Sequence, residues 1–346
     1  MKKELLVNNK VIEDVFEYQD IDPEISRVYA YFENSFQKLF ENYASLFNIN
    51  NYYFYIKSND TCNAFASKRK DYNIIGITNG YPILLKRKLD KKYFEKILLT
   101  SIINDPNLSV AYSDLEEDSD FDFSKFILDC SIKFTFNHEF EHILQMNYDP
   151  NIREGYLLHE NLEMKGFDLK NHAWEFDADR MASYEVLKYV FGIYSKLKEK
   201  NEAKLKCLLF VGCASMIITK SLFYFGVINQ LEPKYSISKI GFYTKENSHP
   251  HPLVRCLNIM EYYYDNITSD FPRLKIDFQE LFNNSVGIMK LYFDSLIPKQ
   301  DIISYFFSDL KMYLDDIHQY NQELYDFAIQ DQAIRNQLLS RKITFG

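Results

Sequence analysis

Between residues 22 and 48 the apolar positions recur at helical spacing, with Ile25, Val28, Tyr29, Phe32, Phe36, Leu39 and Phe40 on one stripe. That period predicts an amphipathic helix. The texture then changes. YYFYIKS (52–58) and NIIGITNG (73–80) are β-branched and aromatic runs bounded by Asn, Asp and Gly, which reads as two strands. CNAFAS (62–67) lies between them as a short extended segment. From about residue 90 the period is helical almost throughout. Within that half, residues 207–228 (CLLFVGCASMIITKSLFYFGVI) are apolar all round, with Lys220 the only charge. Such a run is long enough to cross a membrane, and it is equally suited to the middle of a helical core. Residues 114–122 (DLEEDSDFD) carry six acids and no base, a solvated loop before the next helix. Asp118, Asp120 and Asp122 resemble the start of a calcium loop, but Phe123 stands where Gly is needed and Asp129 where a bidentate Glu is needed.

Composition narrows the class. The chain has 346 residues and a net charge of −9, which argues against coating nucleic acid or an anionic membrane. With 27 Tyr and 29 Phe against 10 Gly and 9 Pro, a helix-rich body is expected rather than a turn-rich sandwich. The five cysteines are scattered without a C-x-x-C pair, so no disulfide framework is expected. The first twenty residues lack the apolar run of a signal peptide. The expected compartment is the cytoplasm.

Chemistry concentrates where six of the seven histidines fall, between 138 and 251. His138-Glu139-Phe140-Glu141-His142 is H-E-x-x-H inside an apolar helical run. On a helix, residues i and i+4 share a face, so both imidazoles can grip one ion. Glu139 is turned about 100° from His138, within reach of a water on that ion. A catalytic zinc needs a third protein ligand and an open position. The pattern with a third His six residues on would use Tyr148 and wants Gly at 145, where this chain has Gln. A carboxylate from a later helix is the alternative. Trp174-Glu175-Phe176-Asp177-Ala178-Asp179-Arg180 opens such a helix, with Asn171 as its expected cap. Glu175 can ligate, while Asp179, again at i+4, can accept the far N–H of a ligand imidazole. Glu163, Glu160, His159 and His172 are rival ligands. An acidic first turn that complements the helix dipole is the plain alternative for 175–179.

H-E-x-x-H followed by E-x-x-A-D resembles the gluzincin metallopeptidases, especially the HtpX/CAAX-prenyl-protease-like family. Asn63-Ala64-Phe65-Ala66 with Ile74 to Gly80 resembles that family's N-A-F-A strand and the strand after it. Ser248-His249-Pro250-His251-Pro252-Leu253-Val254-Arg255 resembles its T-H-P-x-x-x-x-R segment. The four motifs occur in the family's order and cover under half of the chain. Position 141 departs, since the family has Gly before the second His and this chain has Glu. The membrane hairpins of the family's membrane members are not evident. A weaker resemblance runs to soluble phage-exclusion proteases of the Lit type, which implies one narrow cytosolic protein target.

The resemblance implies an α+β, mainly α fold: a zincin-like core with a small sheet upstream of the H-E-x-x-H helix and helical N- and C-terminal segments. The expected division is 1–49, a catalytic domain at 50–260, and 261–346. It implies one Zn2+ on His138, His142 and Glu175, with Glu139 as general base. His249 is the expected oxyanion donor, with Tyr156 or Tyr243 as alternatives, and Arg255 the expected clamp on Asp179. Asn63, Ala64 and Phe65 would line the cleft with a free strand edge for an extended substrate. A site shared between His138 and His249 also disfavours a single membrane span at 207–228, which becomes a core helix. His251 and His318 are expected to be structural or surface residues. The expected partners are a protein or peptide substrate and a protein regulator, with the 148–172 loop as a gate. A catalytically silent scaffold of the same shape is the competing class.

Overall fold

The computed structural model describes residues 2–86, 105–149, 151, 157–159, 166–224, 241–296 and 302–343. In chain order the elements are α1 (Lys2–Asn8), α2 (Pro23–Leu46), β1 (Tyr52–Lys57), β2 (Ala64–Arg69), β3 (Tyr72–Thr78) and α3 (Gly80–Lys86). There follow α4 (Pro106–Glu117), α5 (Phe123–Tyr148), β4 (Leu157–His159), α6 (Leu169–Lys196) and α7 (Glu202–Tyr224). The last four are α8 (Pro252–Asp270), α9 (Phe278–Leu296), α10 (Ile302–Ala328) and α11 (Gln332–Ser340). This is the expected mainly α arrangement of the α+β class.

Aspartates set most of the helix starts, each accepting backbone N–H groups that have no partner within the helix. Asp22 caps α2, Asp105 caps α4, Asp122 caps α5 and Asp331 caps α11. Proline at the first helical position of α2 and α4 reinforces the start. The acidic run at 114–122 divides accordingly: α4 ends at Glu117, and Asp118–Asp122 form the turn into α5. For α6 the expected cap at Asn171 is corrected. The helix starts at Leu169 with Asp168 accepting from Lys170 N, so Glu175 lies in the second turn and Asp179 in the third. Both are too far in to be first-turn dipole acids.

The four strands lie in the order β1-β3-β2-β4, with β1 parallel to β3 and the other pairings antiparallel. Period-two alternation sorts their side chains. Phe54, Ile56, Ala64, Ala66, Ile75 and Ile77 face the main core, while Tyr55, Phe65 and Ile74 face a small cluster with Leu6, Val11 and Ile12. Phe65 lies directly across from Gly76, and its ring fills the space over that glycine.

Helix α5 packs on α6, β2 and β3, and every residue from 123 to 146 except Lys125, Asp129 and Lys133 is buried. An aromatic layer of Phe36, Phe40, Tyr43, Phe136 and Phe140 joins it to α2. Helix α7 covers α5, α6 and α9; its Glu202–Leu222 stretch has mean hydropathy 1.6 and is 94% buried within this chain. The main apolar cluster takes residues from Tyr18 to Leu338, so side chains of all three expected segments meet in it.

Candidate metal centre

His138 and His142 point from one face of α5, and Glu175 meets them from α6; all three are buried. The two Nε2 atoms are 3.1 Å apart. Glu175 Oε2 is 3.3 Å from His138 Nε2 and Oε1 is 3.4 Å from His142 Nε2. Tetrahedral ligands at about 2.0–2.1 Å from a zinc ion stand about 3.3 Å from one another, so these spacings match a common ion.

The imidazole tautomers give a stricter test of fit. Gln145 Nε2 donates to Trp174 O and Asp177 Oδ2, both at 3.1 Å, which orients its carbonyl oxygen toward His142. His142 Nδ1–H then donates to Gln145 Oε1 at 2.7 Å, leaving the lone pair on Nε2. His138 Nδ1 is 3.1 Å from Asp179 Oδ1, which holds the proton on Nδ1 there too. Two nitrogen lone pairs thus face each other at 3.1 Å beside a carboxylate. Such a set of donors repels itself unless a cation lies among them.

Basic residues converge on the same carboxylates. Arg255, from the first turn of α8, forks onto Asp179 through Nε to Oδ2 at 2.7 Å and Nη2 to Oδ1 at 2.8 Å. The same Nη2 is 2.6 Å from Glu175 Oε2 and 3.4 Å from His138 Nε2. Buried Lys220 of α7 lies 3.8 Å from Asp179 Oδ1. Burial opposes the charge on Glu175, but Arg255, His249 and His142 outweigh it and hold its carboxyl well below the usual range. Asp179 is likewise held low by Arg255 and Lys220 against its burial. For His142 burial dominates and lowers the pKa, against the pull of Glu175. Asp177, by contrast, is pushed up by burial to about 7.

Among the other expected site residues, Glu139 is as buried as His138. His249 Nε2 is 3.3 Å from Glu175 Oε1, and its Nδ1 is 2.9 Å from Ser248 Oγ. Arg255 meets Asp179 as expected and touches Glu175 as well. Tyr243 packs edge-on against His251. His251 is buried and accepts the Leu253 N–H as the cap of α8, and His318 pairs with Glu261 at the surface. His172 is no ligand. Tyr320 donates to its Nδ1 and its Nε2 donates to Asn247 O, each at 2.7 Å, which ties α6 to the segment leading to His249. Tyr156, Glu160, Glu163 and the His159 side chain lie outside the described residues, as do 150, 152–156 and 160–165 of the expected 148–172 gate.

Of the free edge expected at Asn63, Ala64 and Phe65, the part at Phe65 is corrected. Over Phe65–Ser67 the outer edge of β2 already pairs with β4, because the connection between the two metal helices returns alongside it. Asn63 is a backbone fastener: its N–H donates to Thr78 Oγ1 at 2.8 Å and its Oδ1 accepts from Ala64 N at 2.9 Å.

No family model, curated protein or solved structure matches the chain. Among the described residues, the buried His138–His142–Glu175 cluster is the group that fits an H-E-x-x-H metal site. Sequence reasoning did not assign roles to Gln145 and Lys220. Both left a signal: Gln145 stands at i+3 from His142, and Lys220 is the one charge in the apolar run 207–228.

Proposed function

We propose that the chain is a zinc-dependent endopeptidase. The observation that carries this reading is the buried convergence of two imidazole lone pairs and one carboxylate at 3.1–3.4 Å, on a helix that carries Glu139 beside the first ligand. Zinc held there would supply a Lewis acid and a water acidified to near neutrality. The remaining work belongs to the chain. Glu139 takes the proton of the attacking water and returns it to the leaving amine nitrogen, as a general base and then acid. Asp179 and Gln145 keep both imidazoles in the ligating tautomer. His249, whose Nε2 lies 3.3 Å from Glu175 Oε1, is in this reading the donor to the oxyanion of the attacked peptide. The substrate in this reading is a protein or peptide met in the cytoplasm, and α7 is a core helix.

One contact favours a second reading. Arg255 Nη2 lies 2.6 Å from Glu175 and gives the cluster a resident cation, as a silent binding protein of this shape would need. Elemental analysis of zinc per chain, with Glu175→Ala alongside, separates the two. About one zinc per chain, lost in the variant, supports the endopeptidase, and no zinc after reconstitution supports the silent protein. Glu139→Gln is then expected to keep its metal and lose hydrolysis. A fully active Glu139→Gln protein would sink the mechanism.

A further inference from the structure

Glu141 stands between the two histidine ligands in sequence, flanking them on the side of α5 opposite to Glu139. It is completely buried. Both of its oxygens are taken by the C-terminal segment: Arg341 Nη2 donates to Oε1, and Gln337 Nε2 donates to Oε2. Among the described residues Arg341 is the one basic side chain within 4 Å of this carboxylate. Gln337 is itself fully buried and the Arg341 side chain is 8% exposed. The guanidinium lies over Phe47 and also reaches Glu185 at 3.4 Å, whose other oxygen accepts from Tyr43.

The opposite end of the same short helix holds the other metal helix. Asp331 caps α11 and accepts from Trp174 Nε1 at 3.4 Å. Trp174 precedes the ligand Glu175, and its carbonyl oxygen receives Gln145 Nε2, the side chain that orients His142. Residues 331–341 therefore touch a neighbour of a ligand on α5 and a neighbour of a ligand on α6. Between these two anchors α11 packs along α5.

We propose that residues 331–341 are a clamp that sets the spacing of the two metal helices, with Arg341 as its positioning residue. The physical reason is the burial of Glu141. A carboxylate out of water is tolerated while a hydrogen-bonded counter-charge is present, and losing one partner strands the other charge. If Arg341 leaves, Glu141 must turn toward solvent or draw water into α5, one residue from His142. Either movement shifts an imidazole whose distance to Glu175 has to hold to a few tenths of an ångström for ligation. The tail thereby becomes part of the metal centre although it supplies no ligand.

The metal arm of this inference rests on the three-ligand reading above, and the exchange arm does not. Arg341→Leu is compared with Arg341→Lys and with the paired replacement Glu141→Leu/Arg341→Leu, which removes both charges. Backbone hydrogen exchange of metal-free protein is read over residues 136–146. Zinc affinity is read by competition with a chromophoric chelator, and ligand geometry by the visible spectrum of the cobalt(II)-loaded protein.

Arg341→Leu is expected to speed exchange across that stretch, weaken zinc about tenfold or more and alter the cobalt spectrum. Arg341→Lys and the paired replacement are expected to recover most of each. Phe32→Leu, a core change in α2, should lower the melting temperature without moving zinc affinity or the cobalt spectrum. If Arg341→Leu does not fold, Gln337→Met takes its place, with a smaller effect in the same direction. Folded Arg341→Leu protein with wild-type exchange, affinity and spectrum would overturn the clamp. A wild-type chain that binds no zinc would overturn the endopeptidase, while faster exchange in Arg341→Leu would still support the clamp.

Discussion

Asp179→Asn tests the electrostatic design of the centre with almost no change in shape. Asp179 accepts two hydrogen bonds from Arg255, at 2.7 and 2.8 Å, and its Oδ1 also faces His138 Nδ1 at 3.1 Å. Asparagine can satisfy only part of this. With its oxygen in the Oδ1 place, its NH2 points at Arg255 Nε–H, a donor against a donor. With its oxygen in the Oδ2 place, the NH2 faces His138 Nδ1 and drives the ring into the tautomer that carries its proton on Nε2. That tautomer cannot ligate. Losing a partner of this kind costs about 10–100-fold in metal affinity, or roughly 1.4–2.7 kcal/mol. The remaining charges push the same way, because Arg255 and Lys220 would then lose the charge of Asp179 and leave more positive charge beside the cluster. Zinc affinity by chelator competition is the assay, with circular dichroism to confirm folding. A folded Asp179→Asn protein that binds zinc within about twofold of wild type would refute the tautomer argument.

Two further outcomes concern stability. His172 titrates near 4 instead of 6.5, because burial disfavours its charged form against the pull of the Asn247 carbonyl. Between those values the unfolded chain binds a proton that the folded chain does not, so stability falls as pH falls from about 6.5 to about 4. The loss reaches at most roughly 3 kcal/mol. Urea unfolding at a series of pH values should show this loss shrinking in His172→Gln, and an unchanged pH slope would contradict it. Gly80 begins α3 against the β1–β2 loop, where an added Cβ would lie 2.2 Å from Asp60 O and 2.5 Å from Thr61 O. Backbone atoms cannot swing aside as a side chain can. Gly80→Ala should therefore cost about 2–3 kcal/mol in chemical denaturation, and a change below about 0.5 kcal/mol would show that the loop yields.

The strands at 52–58 and 73–80, the helix at 22–48 and the i, i+4 pair at His138 and His142 were legible in the sequence. Each rests on a local period or cap. Glu175 was legible less directly, through its spacing to Asp179. The start of α6 was not, since Asn171 and Asp168 are both good caps and the choice depends on where the preceding chain can run. The edge of β2 was misread because strand pairing is a contact at a distance. Its partner β4 is only three residues long and falls below any useful period.

The amino-acid order by itself determined the elements, the face shared by the two histidines and the residue types available to hold a metal. Those follow from backbone geometry within a turn or two. Only the tertiary structure decided how the charges are paired. It brought Arg255 to Glu175 as well as to Asp179, and put Lys220 beside Asp179. It also brought Arg341 across 200 positions of chain to Glu141. Such pairings carry no local signature, because a buried charge selects its partner by proximity and desolvation after the helices have packed.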